Sequence, residues 1–171
     1  LFLRDHQLID PLTQLYGADY LHAVLQREIE LHLNQQRSQH RSQQKTLCLL
    51  VLDIDDFAGF NRRHGIAAGD AYLSALSELL SSQLRHSDVI CRYAGDRFIA
   101  VLPNTTPGQA QIMAQHLRQQ ITQLASAEEA PQLTVAGMTV QQHSAQTALQ
   151  QADFAIKQAK AGSVLKLQPE L

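Results

Sequence analysis

An α/β or α+β domain with a mixed sheet, its central strands covered by helices, is predicted from three features of the sequence. Residues 46–54, TLCLLVLDI, form the short continuous apolar run that a strand buried on both faces requires. Segments with apolar residues at helical spacing precede and follow it. Residues 88–103, DVICRYAGDRFIAVLP, read as two strand-like runs about a Gly-containing turn, closed by Pro103. The resulting order is roughly αβααββαβα.

Taken in sequence, Leu21, Val24, Leu25, Ile29 and Leu33 predict an amphipathic helix from Tyr20 to about Leu33, starting near Asp19. Asn34 to Lys45, NQQRSQHRSQQK, has no apolar face and reads as a frayed helix end plus loop. After the buried strand, Tyr72, Leu73, Leu76, Leu79 and Leu80 predict a helix from Gly69 to about Leu84. Beyond the hairpin, Ala110, Met113, Ala114, Leu117 and Ile121 mark a helix from Pro107 to Leu124. QLTVAGMTV is a further strand, and Ala148, Leu149, Ala152 and Ile156 give a final helix from Ala145 to about Ala161.

A chain of 171 residues suits one domain with a full core. Its formal net charge of −2 offers no global basic field, so nucleic acid is not an expected partner. No apolar run approaches the ~20 residues that span a bilayer, and no signal-peptide pattern is present, which predicts a soluble piece. Cys48 and Cys91 sit inside apolar runs without metal-ligand spacing and read as buried, reduced thiols, in keeping with a cytoplasmic location. His22, His64, His86 and His143 are scattered and are expected at the surface.

Chemistry is expected where the buried strand ends in acid. Asp53 closes the apolar run with Asp55 and Asp56 just beyond, and Asp96 lies in the hairpin turn. Two carboxylates meeting at adjacent strand ends would bind a hard cation such as Mg²⁺ and leave room for substrate phosphates. The alternative is that Asp55 and Asp56 begin a turn and that Asp96 supplies turn chemistry.

Five blocks of this sequence resemble, in order, those of the GGDEF domain, the catalytic domain of diguanylate cyclases. They are DPLTQLYGADYL (residues 10–21), LDIDDFAGFNRRHGIAAGDAYL, RHSDVICRYAGDRF, LTVAGM and ADFAIKQAKAG. The resemblance implies a palm-like, mixed, mostly antiparallel central sheet flanked by helices, as in nucleotidyl cyclases. It also implies a domain over residues 10–165, preceded by the end of a signalling helix or linker at 1–9 and followed by a tail or linker at 166–171. In active members two domains meet, each holding GTP, and form cyclic di-GMP. By this resemblance Asp53, the Ile54 carbonyl and Asp96 match the Mg²⁺ ligands, Asp96 also standing in the catalytic signature. Asn61 and Asp70 match the guanine readers, and Lys160 matches a triphosphate contact. Arg85 and Asp88 match the RxxD inhibitory site for cyclic di-GMP, with Arg118 the nearest candidate in type for a second arginine.

Departures from the pattern are expected to matter as much. Arg97 stands where active enzymes have Glu, a charge reversal that brings a cation able to pair with Asp96 or a phosphate and to compete with Mg²⁺. It also admits reading as an exposed solubilising residue, or as a replacement contact to the γ-phosphate. Ala94 replaces a signature Gly, Ala58 a phosphate-side Lys, Arg62 an Asp and Ile66 a His, while Ser163 or Val164 stands where a phosphate-binding Arg is expected.

Three functions follow as expectations. The first is a degenerate, catalytically impaired or inactive GGDEF domain acting as a regulatory module that binds cyclic di-GMP through Arg85 and Asp88, or GTP through Asn61 and Asp70. The second is an active, slow cyclase. The third is a structural dimerisation domain that transmits signals without binding nucleotide. The resemblance further implies a bacterial signalling protein with additional domains, able to form homodimers, its domain cytoplasmic and the whole protein anchored in the inner membrane.

Overall fold

The computed structural model describes residues 8–38, 46–124 and 130–162. Their elements follow the predicted order: α1 (Ala18–Ser38), β1 (Cys48–Ile54), α2 (Phe57–His64), α3 (Ile66–Gln83), β2 (Val89–Ala94), β3 (Arg97–Leu102), α4 (Pro107–Leu124), β4 (Leu133–Thr139) and α5 (Ala145–Gly162). The strands form one sheet in the order β2-β3-β1-β4. Every pair within it is antiparallel, and a single parallel bridge joins Tyr16 to Cys91 beside its edge. No helix among the described residues is long and apolar enough to cross a membrane. Residues 1–7 of the upstream segment expected at 1–9, residues 39–45 of the expected loop, and Ser163, Val164 and the tail lie outside the described residues.

β1 is central, and all seven of its residues are buried, as its unbroken apolar run requires. Alternation along the strand divides the core into two layers. Leu49 and Val51, with Ile99 and Val101 of β3, face α1 and α5. Leu50 and Leu52, with Phe98, Ala100 and Leu102, face α3 and α4. The α5 contribution is a row of small residues, Ala145, Ala148, Ala152, Ala155 and Ala159, all buried at three- and four-residue spacing. Methyl groups in that row let the helix axis lie near the sheet, which brings the polar side chains at the margin of α5 within reach of the end of β1.

Helix bounds differ from the expectation at two places. α1 continues through Asn34 to Ser38 as an exposed polar extension, where Gln and Arg are good helix formers without an apolar face. α3 begins at Ile66, three residues before Gly69, because Gly65 turns the chain between α2 and α3. Gly65 has φ of 89°, a left-handed conformation that side chains rarely adopt, and its N–H bonds to the Asn61 carbonyl to close α2. Cys48 and Cys91 are buried free thiols, and burial pushes Cys91 up to about 12. His22, His86 and His143 are exposed as expected, whereas His64 is half-buried with its ring centroid 4.6 Å from that of Phe60.

Candidate functional site

Register places the chemistry. In the β1–β3 pairing Asp53 stands directly opposite Arg97, so the two side chains project from the same face of the sheet. The guanidinium forks onto the carboxylate, Nε donating to Asp53 Oδ1 at 2.7 Å and Nη2 to Oδ2 at 3.1 Å. Its third arm, Nη1, donates to Asp153 Oδ1 of α5 at 2.9 Å. Lys160, two turns further along α5, sits 2.8 Å from Asp53 Oδ2 and 3.8 Å from Asp55 Oδ1. Lys157 completes the group, 2.8 Å from Asp153 Oδ2.

Asp53 is only 4% exposed, so its charge has to be compensated by the protein. Burial alone raises its pKa, but the hydrogen bonds from Arg97 and then Lys160, with their positive charges, outweigh it and hold the carboxyl below its ordinary 3.8. Hydrogen bonds to Asp53 and Asp153 conversely raise the Arg97 pKa further. Asp55 is held from the other side, its carboxylate accepting from Thr134 Oγ1 at 2.9 Å.

Asp96 behaves differently. It lies exposed in the two-residue turn between β2 and β3, and its backbone carbonyl accepts from Ile54 N at 2.9 Å. Among the described residues no hydrogen bond or ion pair holds its side chain. The expected pairing of Arg97 with Asp96 is not made; Arg97 pairs with Asp53 and Asp153 instead, because the strand register sets residues 53 and 97 side by side. As arranged, this donor set does not fit a divalent ion: both oxygens of Asp53 carry cationic donors, and no cluster of three metal-ligating side chains occurs among the described residues.

The residues expected to read guanine sit just beyond β1, on the α2–α3 pair. α2 starts at Phe57, capped by Asp56, whose side chain accepts from Gly59 N. Phe60 packs between Phe57 and Tyr72, with ring centroids 6.2 Å away in each case, and fixes the two helices together. Asn61 Oδ1 is buried and has no hydrogen-bond partner among the described residues. It lies where a side chain at Gly69 would start, 1.8 Å from the position of an added Cβ, so glycine at 69 is what makes room for this amide. A buried acceptor left unpaired costs about 1–3 kcal/mol. Asp70, the other expected reader, is exposed on α3.

Arg85 and Asp88 are joined as a second fork, Arg85 Nε to Asp88 Oδ2 at 3.0 Å and Nη2 to Oδ1 at 2.7 Å. Nη2 also reaches the Pro103 carbonyl and Thr105 Oγ1. The Asp88 side chain is 0% exposed and the Arg85 side chain 43%, so Arg85 faces outward and Asp88 holds it from behind. Arg118 is exposed on α4, and no contact joins it to this pair among the described residues.

Sequence reasoning missed three contributors. Asp153 and Lys157 lie four residues apart on α5, and only their spacing with Lys160 hinted at one charged face. Arg92 bonds to Asp10 Oδ2 at 2.9 Å and to the Gly95 carbonyl at 2.8 Å, tying the DPLT turn to the hairpin tip. Asp10 also accepts from Thr13 N and Thr13 Oγ1, at 2.9 and 2.6 Å.

The pairing sets a pH dependence. Asp53 is depressed in the folded protein, so its stabilising contribution is complete above the unfolded value of 3.8 and is lost as pH falls through the lower folded value. Urea unfolding over a pH series is expected to show this acid-side loss, and Asp53→Asn to flatten it, leaving the share owed to Asp10 and Asp153. At neutral pH Arg97→Ala is expected to cost about 3 kcal/mol by exposing the buried carboxylate to an unbalanced site. An unchanged acid limb in Asp53→Asn, with Arg97→Ala as stable as wild type, would show the fork to be without energetic weight.

Comparison with known proteins agrees with this architecture. The family described as "Diguanylate cyclase, GGDEF domain" matches residues 7–163. Diguanylate cyclase A of Treponema denticola is 36% identical over 77 residues, covering 45% of this chain and 21% of that protein. Cyclic di-GMP phosphodiesterase NbdA of Pseudomonas aeruginosa is 33% identical over 119 residues, covering 70% of this chain and 14% of that protein. The chain thus spans about a fifth or less of the length of these relatives. The crystal structure of the GGDEF domain of DgcB from Caulobacter crescentus, in complex with c-di-GMP, superposes with a TM-score of 0.80 at 20% identity, covering 94% of each chain. With a family match across nearly its whole length and a sheet and helices that superpose on such domains, the chain belongs to the GGDEF domain family of the diguanylate cyclases.

Proposed function

We propose that this GGDEF domain does not cyclise GTP and acts in cyclic di-GMP signalling as a regulatory module that binds a guanine nucleotide. The observation that carries the proposal is the Arg97 fork on Asp53, reinforced by Lys160. Joining two GTP molecules needs an activated 3′-hydroxyl and a stabilised α-phosphate, work for which the family uses Mg²⁺ on this carboxylate. Here the carboxylate is already satisfied by two cationic side chains. Recognition rests separately on the resemblance, in which Asn61 and Asp70 match the guanine readers, and on the exposure of Asp70 on α3. Guanine carries N–H donors from which the exposed Asp70 carboxylate can accept.

A second reading, in which cyclic di-GMP binds at Arg85, is favoured by one observation. The guanidinium is held in a fixed orientation by Asp88 and yet keeps a large exposed fraction. Its chemistry suits a phosphate or a guanine Hoogsteen edge, with Asp88 orienting Arg85. Attachment to further domains, homodimerisation, a cytoplasmic position and an inner-membrane anchor elsewhere in the protein belong to the same proposal.

Purified domain incubated with GTP and Mg²⁺ and analysed chromatographically is expected to form no cyclic di-GMP. Steady product formation that disappears in Asp96→Ala would overturn the proposal and establish a working cyclase. For the second reading, calorimetry with cyclic di-GMP is expected to show binding that Arg85→Ala weakens by about tenfold or more; equal results for the two proteins would remove Arg85 from the account.

A further inference from the structure

We infer that this domain takes guanosine triphosphate at the end of β1 without a divalent cation, uncommitted N–H groups of the Arg97 guanidinium and the Lys160 ammonium holding the phosphates in its place. The inference rests on the guanine-nucleotide reading above and adds the means by which the phosphates are held.

Charge balance is the first argument. Asp53, Asp55 and Asp153 are matched by Arg97, Lys157 and Lys160 within one chain of direct contacts. A divalent ion added at Asp53 would stand beside two cations already in contact with the same carboxylate. Unit charges about 4 Å apart repel by roughly 4 kcal/mol at the effective dielectric of a protein surface, so the ion gains little from this site.

Donor inventory is the second. A guanidinium carries five N–H groups, and Arg97 commits three, two to Asp53 and one to Asp153. Two remain for phosphate oxygens without disturbing the fork. Lys160 has three N–H groups, one committed to Asp53 at 2.8 Å, and its side chain is 41% exposed. Both cations are therefore anchored by carboxylates and retain uncommitted donors, the Arg97 side chain being 18% exposed, an arrangement with little ordering cost left for binding. Arg suits this task because its fork stays fixed while its outer N–H groups engage an oxyanion.

Position is the third. Asp53 lies at the end of β1, and α2, which carries Asn61, begins at Phe57 immediately beyond. The cationic pair at Asp53 and the helix that carries Asn61 are thus joined through the short segment that follows β1.

Calorimetry of the wild-type domain with GTP, once in Mg²⁺ and once in EDTA, tests this directly. The two dissociation constants are expected to agree within about threefold, and Arg97→Gln is expected to bind about tenfold more weakly in EDTA and to regain affinity when Mg²⁺ is restored. Wild-type binding about tenfold or more weaker in EDTA would overturn the inference while leaving the nucleotide-binding reading in place. Absence of binding in both conditions would overturn that reading and the inference with it. The wild-type comparison stands without any variant, so a poorly folded Arg97→Gln does not affect the decision.

Discussion

A carboxylate buried at the end of the central strand is the constraint around which this domain is arranged. Asp53 cannot remain charged at 4% exposure without partners, and the sequence supplies two. Arg97 comes from the neighbouring strand and Lys160 from the last helix, so one charge ties β1, β3 and α5 together. Asp153 extends the tie by taking the third arm of Arg97. In this family the same carboxylate is expected to serve a metal; here it serves a guanidinium. The substitution at position 97 therefore changes the chemistry of the strand end while leaving it electrostatically satisfied.

The frame around that strand end is held by bonds of its own. Arg92 clamps the hairpin tip to Asp10, and Asp10 in turn organises the DPLT turn through Thr13. Ile54 and Asp96 hold the end of β1 against the turn through their backbones. Phe60 and Gly65 position α2 against α3, and Gly69 leaves room for the Asn61 amide. The scaffold around the strand end is thus held by its own bonds, independently of the Arg97 fork on Asp53.

Much of the fold was legible from local pattern, and the reasons are physical. The unbroken run around Leu49 to Leu52 had to be buried on both faces, and Pro107 to Leu124 carried its periodicity to both ends. Polar extensions were less legible: Asn34 to Ser38 is helical from propensity alone, with no buried face to announce it. The site was legible as a set of residues but not as a set of partners. Arg97 reads in sequence as a neighbour of Asp96, yet the hairpin turn leaves Asp96 exposed and strand pairing carries Arg97 to Asp53, 44 positions away. Asp153 is farther still, 56 positions from Arg97, and no local signal couples them. Asp88, expected to face a ligand, is instead buried behind Arg85, because a short-range fork across three residues satisfies both its oxygens.

The central claim is that Arg97 stands where this family would hold a metal ion. A crystal structure of the domain grown in Mn²⁺, with anomalous data, tests it most directly. The account predicts the Arg97 guanidinium forked onto Asp53 and no anomalous peak at that carboxylate. A manganese peak on Asp53, with Arg97 turned away from it, would contradict the account.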